Sequence, residues 1–381
     1  MKDSANQYLE FIRYCIDANS FSFDTEKLNW EGLYGFASQQ ALKAISFDGI
    51  ERLKNNAVGI TRNLLLRWLA ESEQIKLRNQ LLNRRCIELV NQLENDGFEC
   101  CLLKGQGNAA MYTHPYVRTP GDIDVWVKPS QEFGVKDNSF IRETISYAKS
   151  HNPRGIANII HVDYGEWGGV EVELHFWPTY MNSPIYNRRL HYWVRQQEED
   201  VFNNKKKLPE AEGEINIPTE EFNRVYQLSH MFKHVFAEGI GLRQLIDYYY
   251  LLKSNLISNK DDNINTLKHL GLYKFAGAVM YIMKEVLGLE DKYLIVQMDE
   301  RRGKFLLKEI LRGGNFGKFD TDGYFVKWNN PVGSFLRHVE RDIRLVRYFP
   351  SESLWEPLSR IYQHFWRIMY NRETNCKKIW H

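Results

Sequence analysis

Hydrophobic residues recur at helical spacing through the first quarter of the chain. Leu64, Leu65, Trp68 and Leu69 form one such set, and Leu82, Cys86, Leu89, Val90 and Leu93 another. This predicts a helical region over residues 1–96, closed by Gly97 where a helix C-terminus favours positive φ. The texture changes at Phe98. Phe98–Leu103 is a short, mostly apolar run ending in Lys104-Gly105-Gln106-Gly107, which reads as a strand meeting a glycine-rich turn. A helix is expected to start at Asn108–Tyr112 and to be broken by Pro115 and Pro120-Gly121. Asp122–Lys128 alternates polar and apolar residues as a half-buried strand does. Residues 131–150 predict a helix, and Ala157–Tyr164 and Val170–Phe176 two strands joined by a turn at Gly165–Gly169. Strand, helix, strand, helix, strand, strand is the order of a small α/β unit built on one sheet.

Beyond it, Asn203–Pro209 is charged and carries a breaker, which predicts an exposed loop with solvated lysines. Thr219 followed by Glu220 and Glu221 is an N-cap signature, and helical patterns then run to the end. They are interrupted at Gly313–Gly317 and at Phe349-Pro350. Three consecutive regions are expected: helical 1–96, a sheet-bearing core at 97–202 and helical 203–381. The 381 residues exceed what one hydrophobic core usually organises.

Charge narrows the field of partners. Fifty basic residues against forty-eight acidic leave a net +2, which argues against binding long nucleic acid through gross charge. No apolar run approaches the ~18 residues of a membrane span, and the first residues open no signal-peptide pattern. The five cysteines are odd in number and lack C-x-x-C spacing. Reduced thiols and a cytoplasmic location are expected.

The chemistry concentrates between residues 104 and 175. Asp122 and Asp124 are two apart on a strand, so both carboxylates share one face of the sheet, about 6–7 Å apart along the chain. Glu171, Glu173 and His175 share one face of a later strand. If the two strands are adjacent, a third carboxylate joins the pair, and three clustered carboxylates call for a hard divalent cation such as Mg²⁺. Upstream, the Lys104–Gly107 turn sits where backbone N–H groups can approach phosphates. A phosphate cradle, a carboxylate pair and a third carboxylate are the parts of a nucleotidyl-transfer site. Asp320-Thr321-Asp322 is a second Asp-x-Asp and predicts only a turn.

These residues carry a resemblance. Leu103-Lys104-Gly105, Arg118-x-x-Gly121-Asp122-Ile123-Asp124-Val125 and Val172-Glu173-Leu174-His175 resemble the uncharacterised nucleotidyltransferase family of the DNA polymerase β-like superfamily. The resemblance continues through His230-x-x-x-His234, Leu242-Arg243-x-x-Ile246-Asp247 and Gly314-Asn315-Phe316-Gly317. It implies an α/β (α+β) fold, a minimal mixed sheet flanked by helical regions. It also implies transfer of a nucleoside monophosphate from a nucleoside triphosphate to a hydroxyl, with Mg²⁺ and release of pyrophosphate. On this resemblance Asp122, Asp124 and Glu173 are the metal ligands, and Glu173 is also placed to activate the acceptor. Lys104, Gly105 and Gly107 would bind the triphosphate. Gln106 stands where the superfamily commonly has a serine, so the hydroxyl contact to phosphate is missing.

Arg118 binds phosphate, orients a catalytic carboxylate bidentately, or makes a structural salt bridge within its turn. On the helix after Thr219, Asn223, Gln227, His230 and His234 form one polar stripe on an otherwise apolar helix. His230 and His234, at i and i+4, could bind a metal, but with no acidic third ligand beside them they are expected to line the nucleotide or acceptor pocket, to bond to Asp247 on the next helix, or to serve as structural hydrogen-bonders. Arg243 and Asp247, at i and i+4, are placed to pair with each other. His175 either helps to bind metal or nucleotide or is a satisfied structural histidine, the more frequent case for a lone histidine on a strand, and His161 carries a weaker signal still. The C-terminal helices interleave basic and aromatic residues, which reads as amphipathic packing before it reads as an anionic surface. The rival to an enzyme is a degenerate module of the same fold that senses a nucleotide or binds a protein. A third reading keeps the enzyme and takes a protein hydroxyl as acceptor.

Overall fold

Most of the expected elements form, although the helix expected from Asn108 to Tyr112 runs instead from Gly105 to Ala109 and takes in the glycines of the expected turn. The computed structural model describes residues 2–17, 23–130, 139–257, 259–317, 319 and 331–376. In chain order they are α1 (Lys2–Ile16), α2 (Trp30–Gln39), α3 (Lys43–Leu53), α4 (Arg62–Asn95), β1 (Phe98–Leu103), α5 (Gly105–Ala109), β2 (Ile123–Pro129), α6 (Ser139–His151), β3 (His161–Glu166) and β4 (Glu171–His175). There follow α7 (Pro184–Phe202), β5 (Lys205–Lys207), β6 (Glu214–Asn216), α8 (Glu220–Ala237), α9 (Leu242–Ser254), α10 (Lys260–His269), α11 (Tyr273–Tyr281), α12 (Glu300–Gly313), α13 (Pro331–Val346) and α14 (Pro350–Cys376).

The chain divides into two compact units that interleave along the sequence. One comprises Met1–Asn79, Met111–Thr119 and His234–Phe349; the other comprises Gln80–Ala110, Pro120–Lys233 and Pro350–His381. The first is helical. Its core includes Phe11, Trp30, Leu33 and Trp68 from α1, α2 and α4, and Tyr248, Phe275 and Met280 from α9 and α11. Asn29 caps α2 and Asp299 caps α12, each accepting a hydrogen bond from the amide three residues on.

The second unit holds a four-stranded mixed sheet in the order β1-β2-β4-β3. β1 and β2 are antiparallel, β2 and β4 parallel, and β4 and β3 antiparallel. The pleat separates two chemically different faces. Val125, Val127, Val162, Val172 and Leu174 share the apolar face, on which α6 packs against β2 and β3. The opposite face carries Asp124, Trp126, Glu173, His175 and His161. There Trp126 meets Phe202 of α7 and stacks on Phe222 of α8.

Several boundaries shift for identifiable reasons. β3 begins at His161, because the Asn158 side chain accepts hydrogen bonds from the amides of Ile160 and His161 and holds that stretch in a turn. Ala157 makes only an isolated bridge to Val162. Lys205–Lys207 is a short strand paired with Glu214–Asn216 where a loop is expected, although its side chains are exposed as expected. Thr219 caps α8 by accepting from the Phe222 amide. The β3–β4 turn places Gly168 and Gly169 at φ +53° and +83°, the pair of positive values a tight hairpin demands. Residues 131–138 and Asp320-Thr321-Asp322 lie outside the described residues.

Candidate functional site

The polar face of the sheet is assembled by register. Parallel pairing of β2 and β4 sets Asp124 directly beside Glu173, and Trp126 beside His175. Asp122 immediately precedes β2. Carboxylate oxygens of Asp122, Asp124 and Glu173 all lie within 4.8 Å of one another. The adjacency that the sequence leaves conditional is thus met. Antiparallel pairing on the other side brings His161 beside His175. His161, Glu173 and His175 form a second group with ligand atoms within the same 4.8 Å.

Lys104, at the end of β1, reaches Asp124 with Nζ 2.8 Å from Oδ1. Its backbone sits at φ +48° and that of Gly105 at +44°. The first value is costly for a residue with a side chain, and it holds the lysine at a sharp bend between β1 and α5. A Cβ at Gly105 would meet nothing closer than 3.8 Å, so conformation and not space requires glycine there.

Charge is balanced unevenly across the cluster. Asp124 is 3% exposed. Burial alone would raise its pKa, but Lys104 and the hydrogen bond from His175 hold it below the ordinary value. Burial also opposes ionisation of Glu173, and the hydrogen bonds of His161 and His175 outweigh it and keep that carboxyl well below the usual range. Burial disfavours charge on His175, yet its hydrogen bonds to Asp124 and Glu173 raise its pKa. Asp122 is exposed, and Lys104 opposes only in part the charges that raise its pKa. The Asp124 charge beside it pushes its carboxyl up to about 6. The cluster therefore holds more negative charge at its open edge than its own cations neutralise.

Gln106, standing where a serine is common, is buried, and its Nε2 donates to Asn83 Oδ1 at 2.6 Å. Gly107 is buried within α5, where a Cβ would meet Ile217 at 3.3 Å. His230 lies with Nε2 3.5 Å from Lys104 Nζ. Farther down the stripe, Gln227 and Asn223 both donate to Asn108 Oδ1 of α5. His234, one turn beyond His230, pairs with Glu238 at 3.7 Å. Arg118 makes a bidentate pair with Asp247, Nε to Oδ1 at 2.8 Å and Nη2 to Oδ2 at 2.9 Å, and Tyr112 donates to the same carboxylate. Arg243 donates instead to the Thr119 carbonyl. Glu171 is exposed at the far end of β4, opposite Glu166.

Three further residues stand against the carboxylates, in places that local sequence pattern does not fix. His175 Nε2 lies 2.9 Å from Asp124 Oδ1 and 3.2 Å from Glu173 Oε2. His161 Nδ1 lies 2.8 Å from Glu173 Oε2. Tyr226, 1% exposed on α8, stands close enough to Lys104 and Asp124 to feel both charges, with burial the main cause of its raised pKa. The same-face spacing of Glu173 and His175 is the available signal for the first. The other two need the strand register and the helix packing.

The lysine–glycine bend, the paired aspartates and the third carboxylate on an adjacent parallel strand form one cluster on the polar face of a mixed α/β fold. Residues 26–288 match the family described as uncharacterised nucleotidyltransferase, and the chain belongs to that family. No curated protein matches it. Among solved structures, the chain is similar to an antigenic nucleotidyltransferase-like protein from Paracoccidioides brasiliensis. That similarity is 12% identity over 60% of this chain and 95% of the other, with a TM-score of 0.34. Among the described residues, no helix is long and apolar enough to cross a membrane.

Proposed function

We propose that the protein is a divalent-metal-dependent nucleotidyltransferase. In this reading it moves a nucleoside monophosphate from a nucleoside triphosphate to a hydroxyl of a small molecule, a sugar or a protein. The observation that carries it is the convergence of Asp122, Asp124 and Glu173 on one sheet face, with Lys104 of the strained bend bonded to Asp124. The three carboxylates fit a hard cation such as Mg²⁺, since the negative charge that raises Asp122 is what such an ion would relieve. Bound there, the ion would screen phosphate charge and stabilise the leaving oxygen.

The remaining work falls to the chain. Lys104 supplies a point charge and Gly105 a close backbone approach for the triphosphate, with His230 beside the lysine. The acceptor oxygen forms a bond to the α-phosphorus, the α–β bridging P–O bond breaks, and pyrophosphate leaves with that electron pair. The hydroxyl proton passes to a carboxylate of the cluster. Glu173, held ionised by two histidines, serves better as a ligand than as the base. Arg118, committed to Asp247, and Gly107, packed on Ile217, serve the architecture in this reading.

The second reading, a nucleotide-sensing or protein-binding module without turnover, is favoured by the commitment of Gln106 to Asn83 in place of a hydroxyl for phosphate. Triphosphates labelled in turn at the α- and γ-phosphorus separate the two. Transfer predicts α-label in a hydroxyl-bearing acceptor, γ-label in pyrophosphate, and loss of both in Asp122→Asn and Asp124→Asn. Bound triphosphate recovered intact, with every acceptor class unlabelled, would favour the module.

A further inference from the structure

The two histidines on the polar face differ in which ring nitrogen they turn to the carboxylates, Nδ1 in His161 and Nε2 in His175, and that difference assigns them different tasks. The Asn158 amide is oriented by the backbone, since its Oδ1 accepts from the amides of Ile160 at 2.9 Å and His161 at 3.1 Å. Its Nδ2 therefore faces His161 Nε2, at 2.6 Å, and donates to it. With Nε2 accepting, the neutral His161 ring carries its proton on Nδ1, which lies 2.8 Å from Glu173 Oε2. His161 holds and orients a carboxylate.

His175 is wired the other way. Its Nδ1 lies 3.3 Å from the Trp177 carbonyl, an acceptor only, so Nδ1 is the donor. Nε2 then points between Asp124 Oδ1 at 2.9 Å and Glu173 Oε2 at 3.2 Å, and the proton it gives them in the metal-free protein is the one a cation would displace. An imidazole whose outer nitrogen donates to a backbone carbonyl and whose inner nitrogen faces two carboxylate oxygens is set up as a metal ligand is usually set up. The ring is 1% exposed, fixed by both strands it bridges.

We infer that His175 Nε2 joins Asp122, Asp124 and Glu173 as a ligand of the divalent cation, with His161 as a positioning residue that orients Glu173. A mixed carboxylate–imidazole set favours a transition ion such as Mn²⁺ over Mg²⁺, which prefers oxygen alone. This rests on the transfer reading only in placing an ion at the carboxylates, and metal binding is measured without nucleotide. Failure of transfer would leave it standing, and Mg²⁺-dependent transfer without imidazole ligation would overturn it alone.

Pulsed electron paramagnetic resonance of the wild-type protein loaded with Mn²⁺ should show hyperfine coupling to one imidazole nitrogen. The coupling should change from a ¹⁴N to a ¹⁵N pattern when histidine is ¹⁵N-labelled. No coupling, or coupling to two imidazoles, would overturn the assignment. Calorimetric titration then separates a ligand from a mere counter-cation. In His175→Gln, Mn²⁺ affinity should fall by about tenfold or more while Mg²⁺ affinity holds or rises. Equal tightening of both ions would mean that His175 only neutralised the carboxylates. His161→Gln should retain the coupling and weaken both ions alike, by about tenfold. The spectroscopic arm uses the wild-type chain, so a variant that misfolds leaves the test intact.

Discussion

Lys104→Met isolates the internal counter-charge of the carboxylate cluster. At 2.8 Å and an effective dielectric of about 20, the attraction between Lys104 and Asp124 is about 6 kcal/mol gross. Desolvating the ammonium takes back several kcal/mol, so about 2–3 kcal/mol should be lost when the lysine becomes methionine. His175 remains on Asp124, which keeps the loss below that of a carboxylate left with no partner. Urea unfolding followed by tryptophan fluorescence, with Trp126 buried on the same strand, would measure it in chelator and in excess Mg²⁺. In chelator the variant should lose about 2–3 kcal/mol. With Mg²⁺ the difference should shrink to under about 1 kcal/mol, because the cation takes over the neutralisation. The double variant Lys104→Met/Asp124→Asn should recover most of the loss in chelator, as neutral pairs of similar shape do. Equal stability of Lys104→Met and wild type in chelator, or the same loss with and without Mg²⁺, would refute the reasoning.

Other perturbations test the surrounding assignments. Asp122→Asn should abolish metal-dependent transfer yet stabilise the metal-free protein by roughly 0.5–1 kcal/mol after solvent screening, because Asp122 is raised to about 6 by the charge of Asp124. A stability loss instead would mean that the carboxylate is structural. Arg118→Ala leaves Asp247, 4% exposed, with Tyr112 as its remaining partner among the three bonds described, and should cost about 3–5 kcal/mol. A cost under about 1 kcal/mol would return Arg118 to the phosphate-binding role. Burial pushes Glu352 from an ordinary 4.5 up to about 7, against the amides of Asn182 and Ser183 that donate to it. The folded state then binds this proton more tightly than the unfolded chain does. Its contribution is present in full below about pH 4.5 and is lost as pH rises to about 7. Glu352→Gln should flatten that part of the stability profile, and an unchanged slope in urea midpoints would contradict it.

Local pattern carried the fold a long way. The limits of β1 coincide with the apolar run Phe98–Leu103, and Gly97, at φ +91°, follows α4 as the helix-ending glycine it reads as. Alternation placed β2 and β4 within a residue or two and put Asp122 with Asp124, and Glu173 with His175, on common faces. What alternation cannot supply is pairing. That Asp124 lies beside Glu173, and His161 beside His175, follows from strand order and register, which depend on which hydrophobic faces meet. From sequence a structural role therefore outweighs metal or nucleotide binding for His175, and His161 carries still less signal, although each touches a carboxylate of the cluster. Interleaving of the two compact units is equally invisible, because Met111–Thr119 and Pro350–His381 join bodies far from them in sequence. Arg118 shows the same limit: its partner Asp247 is 129 residues away, beyond any local signal.

The central claim is a cation-assembled triphosphate site on the polar sheet face, and calorimetric titration tests it most directly. Each nucleoside triphosphate would be titrated into wild type and into Asp122→Asn/Asp124→Asn, with and without divalent cation. The account predicts that one triphosphate binds wild type only when the cation is present and that the double variant does not bind it under either condition. Binding that is indifferent to both the cation and the two aspartates would contradict it.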